Sequence, residues 1–281
     1  MRFVFSLLFI CCCPLVWSQN WEITEVGLLP EAVSNNAVVE GFINGVPYLY
    51  SFSGIDASKN SAGIHLKSWR YNTQTGESMS LPDLPDTMGK IAAGASRIGD
   101  IIYIMGGYYV FENGNELTSE KVHRYDILNN TYLSDGAPIP VPVDDQVQVV
   151  WRDSLIFLVT GWRNTTNVPD VQIYNPSTDE WQVGTSVPNN FNYTSFGASG
   201  AIIGDTIFYF GGAAAIFPVG NPFPIQSWLR KGVINPDDPT SINWSLSQFD
   251  PNVNGYRAGA TTVGSTIFWL GGSGITYNFD G

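Results

Sequence analysis

Short apolar and aromatic runs recur along the chain, and each run lies between a polar turn and a glycine. The five copies are Tyr48–Gly54, Ile101–Gly107, Leu155–Gly161, Thr206–Gly212 and Thr266–Gly272. The last glycines of these ranges follow one another at nearly regular intervals, with the longest interval before Gly272. Each run is too short for a helix and rich in aromatic and β-branched residues, so it predicts a buried β-strand.

Turn signals surround the predicted strands. Asn44-Gly45 precedes the first run and Gly204-Asp205 the fourth, and these residue types tolerate the positive φ angles of a hairpin turn. Beyond two of the runs, a tyrosine is followed seven residues later by another aromatic residue: Tyr125 by Tyr132, and Tyr174 by Trp181. Repeats of about 50 residues made of strands and turns predict the blades of a propeller.

The combination of turn, apolar run, Gly-Gly pair, Tyr-Asp and Trp resembles the kelch repeat. The resemblance covers residues 21–281, and it implies an all-β fold, a β-propeller of four-stranded blades. Two blades depart from the pattern, since Ser53 and Thr160 replace the first glycine of the pair. The fourth repeat also carries a long insertion, Ala213–Ile242.

Five repeats are visible, and the last blade is predicted to be incomplete. The blades are expected at about 35–83, 88–140, 142–188, 193–246 and 254–281. In the fifth, Tyr277 follows Gly272 by only five positions, which leaves no room for a third strand. We therefore expect the chain to continue, although a complete ring of five blades remains the alternative. Residues 21–30 resemble a blade tail and are predicted to form a strand that closes the ring.

Residues 1–18 predict a signal peptide. Arg2 precedes an apolar stretch, and cleavage is expected after Ser18. All three cysteines, Cys11–Cys13, lie in this segment, so the mature chain (19–281) has no disulfide. A lipoprotein is disfavoured because no small residue precedes these cysteines convincingly. The expected location is secreted, extracellular or periplasmic, without membrane insertion once the signal is removed.

The charge excludes some partners. Cleavage removes Arg2 from the 13 basic residues and none of the 25 acidic ones, so the net charge changes from −12 to −13. Such a chain offers no basic groove for nucleic acid and no attraction to an anionic membrane. Carbohydrate or an extracellular protein is the expected partner.

Copper chemistry is disfavoured, although the resemblance extends to the galactose oxidase group. That chemistry requires His and Tyr ligands and a Tyr–Cys crosslink. The chain has no cysteine after the signal peptide and only two histidines, His65 and His123, which are expected on outer strands. No metal and no cofactor are therefore expected.

Polar residues at the starts of the predicted inner strands are candidates for a site at the channel mouth. The inner strand of each blade is expected to start a fixed distance before the last glycine of the repeat. Residues at or near these starts are Asn36, Lys90, Asp144, Asp145, Gln146 and Arg257. The resemblance to sialic acid mutarotases implies carboxylate and arginine groups on one face, which makes Asp144, Asp145 and Arg257 the best catalytic candidates. A structural or solvated role is favoured over catalysis for all of them.

Aromatic residues in the fourth repeat form a second candidate surface. Phe217, Phe223 and Trp228 lie beside Gly and Pro in the insertion, where they can stack on a sugar or a peptide or fold back over the blade. The sequence thus predicts a secreted kelch-repeat binding module for carbohydrate or protein ligands, with no catalytic set identified. The alternative is a sugar-processing enzyme such as a sialic acid mutarotase-like epimerase.

Overall fold

The chain folds into consecutive antiparallel β-sheets. The computed structural model describes residues 22, 24–215 and 223–276. The first sheet has strands β1 (Ala37–Ile43), β2 (Val46–Phe52), β3 (Ser68–Asn72) and β4 (Ser78–Leu81). The second has β5 (Ile91–Ile98), β6 (Ile101–Val110), β7 (Glu116–Thr118), β8 (Val122–Asp126) and β9 (Thr131–Tyr132).

The third sheet has β10 (Val147–Trp151), β11 (Leu155–Val159), β14 (Val171–Asn175) and β15 (Glu180–Gly184), with a small hairpin of β12 (Trp162–Arg163) and β13 (Thr166–Asn167) between. The fourth has β16 (Phe196–Ile203), β17 (Thr206–Ala213), β18 (Trp228–Asn235) and β19 (Asp238–Phe249). The fifth has only β20 (Gly259–Val263) and β21 (Thr266–Leu270) within the described residues. The one helix found there is a short 3₁₀ turn, Ser61–Gly63.

The sheets are the blades of the predicted propeller. In blades one to four the strand order follows the chain, and every pairing is antiparallel. The first strands of consecutive blades, β1, β5, β10, β16 and β20, pack side by side around a central channel. The structure therefore confirms an all-β propeller of four-stranded blades, with a two-stranded fifth blade in the described part.

The core lies between the blades, where aromatic and aliphatic side chains of neighbouring sheets interdigitate. Tyr174 is fully buried between blades two and three, packed on Tyr103 with ring centroids 5.9 Å apart. Indole groups tie two outer strands, β15 and β19, to the preceding blade: Trp181 Nε1 donates to Ala137 O at 2.9 Å, and Trp244 Nε1 donates to Thr185 O at 2.8 Å. The repeated aromatic residues thus act as connectors between sheets.

The segment at residues 21–30 differs from its prediction. Residue 21 lies outside the described part, and residues 22 and 24–30 form no strand. Carbonyl oxygens of this segment accept hydrogen bonds from side chains of blade one: Tyr71 donates to Val26 O, and Ser78 Oγ donates to Leu28 O at 2.7 Å. Because side chains of blade one donate these hydrogen bonds, the segment packs against blade one without backbone strand pairing.

The fourth blade also differs in detail. Its end was expected at about residue 246, and β19 ends at Phe249. The predicted insertion contains a strand, because Trp228 begins β18 and its ring packs on Phe249 with centroids 4.6 Å apart. The signal peptide and Tyr277 lie outside the described residues. In the part of the chain that is described, no helix is long and apolar enough to cross a bilayer.

Candidate functional site at the channel mouth

The first strands of the five blades surround a cavity of about 430 Å³. Its wall is built mainly from small residues, because five strands converge on the axis and leave little room. At Gly94, for example, an added Cβ would collide with the side chain of Gln148. The polar part of the lining includes Asn36, Gln146, Gln148 and Ser199. The site is therefore narrow and polar.

A ring of left-handed residues forms the mouth of this cavity. One residue within two positions of the start of each first strand has a positive φ: Asn35 (53°), Ala92 (58°), Asp145 (50°), Gly197 (63°) and Arg257 (56°). The backbone N–H of each donates to the carbonyl of the one before it, at 3.0, 3.0, 2.9 and 2.7 Å from Ala92 to Arg257. The strain of four non-glycine residues in this region, about 1–2 kcal/mol each, is offset by these bonds between blades.

Arg257 closes the ring by reaching across it. Its Nε and Nη2 donate to the two carboxylate oxygens of Asp145 at 2.8 and 2.6 Å, and its Nη1 donates to Asn35 Oδ1 at 2.8 Å. The guanidinium also lies 5.0 Å from the centroid of the Tyr256 ring. One side chain of blade five thus joins blades three and one.

Burial shapes the charges here. Burial alone would lower the pKa of Arg257, but the Asp145 carboxylate outweighs it and raises that pKa well above the usual range. Burial raises the pKa of Glu116, a half-buried carboxyl group on β7, although the Arg257 charge opposes the shift. Burial also raises the pKa of Asp144, and the neighbouring Asp145 charge adds to this effect.

Asp144 is placed differently from its prediction. It is only 2% exposed and does not line the cavity, although the sequence put it at the mouth. Thr118 Oγ1 donates to its Oδ2 at 2.8 Å, and its backbone pairs with Trp162. Asp145 has a positive φ, so the backbone turns at this point, and only Asp145 of the two carboxylates lines the cavity.

Three insertions form a rim beside the mouth. The β6–β7 hairpin of blade two is joined to the β12–β13 hairpin of blade three, because Asn164 N donates to Thr118 Oγ1 at 2.9 Å. Asn167 in turn exchanges two hydrogen bonds with the backbone of Ala215 in blade four, at 3.1 and 3.2 Å. Trp162 packs on Phe223 of the same insertion, with ring centroids 5.6 Å apart.

Lys90 is also placed differently. It is fully buried and does not line the cavity. It lies in a charged cluster between blades one and two, with its Nζ 3.5 Å from Asp86 Oδ2, to which Tyr109 OH donates at 2.8 Å. Burial lowers the pKa of Lys90 to about 8 despite the attraction of Asp86. The sequence position was right for the start of a strand, but the side chain points between sheets.

The same cluster predicts an acid-dependent loss of stability. Burial alone would raise the pKa of Asp86, but the hydrogen bond from His123, the Lys90 charge and the Tyr109 hydroxyl hold it well below its usual range. As pH falls below about 4, the unfolded chain binds a proton that the folded chain does not, so the free energy of unfolding falls. We expect Asp86→Asn to be less stable than wild type at neutral pH.

That difference should shrink by about 1.4 kcal/mol per pH unit below pH about 4, measured by urea unfolding. Asp83→Asn is the matched control, since Asp83 is an exposed carboxylate in the same linker. A difference between wild type and Asp86→Asn that stays constant with pH would contradict the role assigned to the cluster.

The two histidines lie away from the channel. His123 is buried between Asp135 (2.8 Å from Nδ1) and Asp86 (3.1 Å from Nε2). His65 packs edge-on against Trp69 in blade one, with ring centroids 5.2 Å apart. Among the described residues, no group of three or more His, Cys, Asp or Glu is arranged to hold a metal ion.

Comparison with known proteins supports the kelch resemblance. No protein-family model matches the chain. It is 28% identical to Kelch-like protein terF of Aspergillus terreus over 43% of the chain and 26% of that protein. It is 24% identical to Kelch-like protein 36 of Bos taurus over 63% of the chain and 26% of that protein. The solved structure of YjhT superposes with a TM-score of 0.67 at 15% identity, over 88% of this chain and 74% of that one.

This chain is a kelch-repeat β-propeller. The structural likeness to YjhT concerns the fold alone, because the identity is low. The matched region spans about a quarter of the length of the curated Kelch-like relatives, 26% in both cases above. Activities and partners of whole Kelch-like proteins are therefore not transferred to this propeller.

One residue that lines the cavity, Asn35, was missed at the sequence level. Asn35 directly precedes Asn36, the position that counting back from Gly54 selects. The run Ser34–Asn36 could have indicated the left-handed conformation of Asn35, because asparagine adopts positive φ more often than most residues.

Proposed function

We propose that this propeller is a secreted binding module that takes carbohydrate or extracellular protein ligands on the face around the channel mouth. The observation that carries the proposal is the rim, in which insertions of three blades are locked together by Thr118–Asn164 and Asn167–Ala215 hydrogen bonds. A rigid rim loses little conformational entropy when a ligand binds, which favours affinity. The signal-peptide pattern of residues 1–18 supports secretion.

Aromatic side chains on the rim add binding capacity. Trp162 and Phe223 are partly exposed beside the mouth, and their indole and phenyl faces suit stacking on a sugar ring or an apolar side chain. Phe217, the third aromatic candidate of this surface, lies outside the described residues, and Trp228 is engaged with Phe249. The aromatic ligand contacts proposed for the rim are therefore Trp162 and Phe223.

Trp162→Ala tests this proposal. The purified secreted protein is screened on a glycan array and a random peptide display library, and affinities of the hits are then measured. We expect Trp162→Ala to weaken binding at least about tenfold, as loss of a central aromatic contact does. Trp162→Phe, which keeps the packing on Phe196, should retain most of the affinity.

Val183→Ala is the matched control, because Val183 is 74% exposed on the outer strand of the same blade, and no loss is expected there. Circular dichroism checks the fold of each variant. A folded wild type that binds no glycan and no peptide would contradict the binding function.

The N-terminal sequence of the secreted protein tests the proposed signal peptide, and the expected first residue is Gln19.

The alternative is a sugar-processing enzyme that uses Asp144, Asp145 and Arg257. It is supported by the two adjacent carboxylates, one paired with Arg257 and one buried with a raised pKa, an arrangement that separates acid and base roles. Burial of Asp144 weighs against direct contact with substrate. If wild type accelerates anomer exchange of N-acetylneuraminic acid by NMR and Asp145→Asn abolishes this, the enzyme replaces the binding module.

A further inference from the structure

Uncharged polar side chains from three blades line the cavity at the channel mouth and remain partly exposed. They are Asn35, Asn36, Gln148 and Ser199. Glycine and alanine of the first strands make up most of the remaining wall, so no bulky side chain separates these groups from the cavity. The hydrogen-bonding capacity of the wall therefore comes from three carboxamides and one hydroxyl.

Asn35 and Asn36 offer a donor and an acceptor side by side. Arg257 Nη1 donates to Asn35 Oδ1 at 2.8 Å, and because a guanidinium can only donate, this bond fixes the orientation of the amide. Asn36 Nδ2 donates to Ser51 Oγ at 2.7 Å. Within the described chain, Asn35 Nδ2 donates no hydrogen bond and Asn36 Oδ1 accepts none, and neither atom is buried. Both atoms can therefore bond to a ligand.

Gln148 adds a further carboxamide from blade three. Its Oε1 accepts from Gln146 Nε2 at 3.3 Å, and its Nε2 donates to Tyr103 O at 3.4 Å. Each of these atoms keeps one hydrogen-bonding position, because an amide oxygen has two lone pairs and an amide nitrogen two hydrogens. A sugar hydroxyl also donates and accepts at once, so hydroxyls on neighbouring carbons complement a wall of carboxamides.

Two charged side chains of the described residues line the cavity, and they neutralise each other. Arg257 Nε and Nη2 donate to the two carboxylate oxygens of Asp145 at 2.8 and 2.6 Å. A carboxylate ligand would compete with Asp145 for the guanidinium and would be repelled by its charge. A cationic ligand would meet the corresponding opposition from Arg257. Breaking such a partly buried pair is costly, so the cavity favours a neutral ligand.

We propose that the channel mouth binds one residue of a neutral carbohydrate, with Asn35, Asn36 and Gln148 as its hydrogen-bonding partners. This proposal rests on the proposed binding function and names the class of its ligand. The cavity volume of about 430 Å³ lies in the range of small-molecule sites. Trp162 on the neighbouring rim supplies an aromatic face for an adjoining sugar residue.

NMR titration of the purified secreted protein with matched sugars tests the ligand class. The decisive pairs are methyl glucoside with methyl glucuronide and methyl galactoside with methyl galacturonide, in which a carboxylate replaces a hydroxymethyl group. Methyl mannoside and N-acetylglucosamine widen the neutral set. We expect the neutral member of at least one pair to bind at least about tenfold more tightly than the acidic member. Its affinity should change less than about twofold between about 50 and 500 mM salt, because the ligand carries no charge.

Two variants test the assignment to the cavity. Asn36→Ala and Gln148→Ala should each weaken binding of the neutral sugar about three- to tenfold, as loss of one hydrogen bond to a ligand does. Gln182→Ala is the matched control, because Gln182 is an exposed carboxamide on the outer strand β15 of the same blade as Gln148. Its affinity should equal that of wild type. Circular dichroism checks the fold of each variant.

The other outcomes separate this proposal from the binding function itself. Equal affinity for the neutral and acidic members of both pairs would overturn the neutral ligand. Sugar binding that survives both Asn36→Ala and Gln148→Ala would overturn the assignment to the cavity. Binding of a peptide or an acidic glycan that depends on Trp162, without binding of any neutral probe, would overturn the proposal and leave the binding function standing. Absence of any binding by folded wild type would overturn both.

Discussion

Replacing Arg257 by alanine is expected to lower the free energy of unfolding by about 3–5 kcal/mol, as removal of one partner of a buried ion pair does. Arg257 and Asp145 are 17% and 7% exposed, and the two groups meet through two short hydrogen bonds. Alanine would leave the Asp145 carboxylate buried without its cation. It would also remove the bond to Asn35 that joins blade five to blade one.

Arg152 provides the matched control, because it forms another Arg–Asp pair, with Asp205, in which the side chains are 50% and 36% exposed. Arg152→Ala should change stability by at most about 1 kcal/mol, since solvent already screens that pair. Urea unfolding followed by circular dichroism measures both variants. The double variant Arg257→Ala with Asp145→Asn should recover part of the loss, because the unpaired charge is gone. Equal stabilities of Arg257→Ala and Arg152→Ala would refute a structural role for the bridge.

Replacing Gly212 by valine is expected to destabilise the propeller by about 2–5 kcal/mol, from left-handed strain of about 1–2 kcal/mol and overpacking of about 1–3 kcal/mol. Gly212 has a φ of +74°, and a Cβ there would lie 2.6 Å from Ala198 N and 2.7 Å from Phe196 O. Backbone atoms of β16 cannot move away without breaking the ladder of blade four. Thermal and urea unfolding measure the loss.

Gly204→Ala separates the two causes. Gly204 also has a positive φ, +59°, but no atom lies within 4 Å of a Cβ added there. Only the conformational strain of about 1–2 kcal/mol should therefore appear. If Gly212→Val is no more damaging than Gly204→Ala, close packing at the glycine pair is not what the repeat requires.

Most of the fold was predictable because each blade repeats one local pattern. The run Thr206–Gly212 falls within β17, Ile101–Gly107 falls within β6, and the turn at Gly204 joins β16 to β17. Hairpin pairing is local, so the apolar run and its turn suffice to predict it. Residues 24–30 form no strand in the structure, because the partner of a closing strand lies far away in the sequence and a local pattern does not specify it.

The candidate site was predictable only in part. Counting back from the glycines brought Asn36, Asp145, Gln146 and Arg257 to the mouth, where the structure also places them. The same count selected Lys90, which turns between blades one and two instead. Position along the chain predicts where a strand starts, whereas a shift of one residue reverses the direction of the side chain.

The sequence by itself determined the all-β class, the spacing of the blades and the glycines at which backbones approach closely. These features depend on residue periodicity and on local φ preferences. Only the tertiary structure decided that Arg257 bonds to Asp145, 112 residues away, and to Asn35, 222 residues away. Such contacts arise from closing the ring, which brings together residues that no local pattern relates.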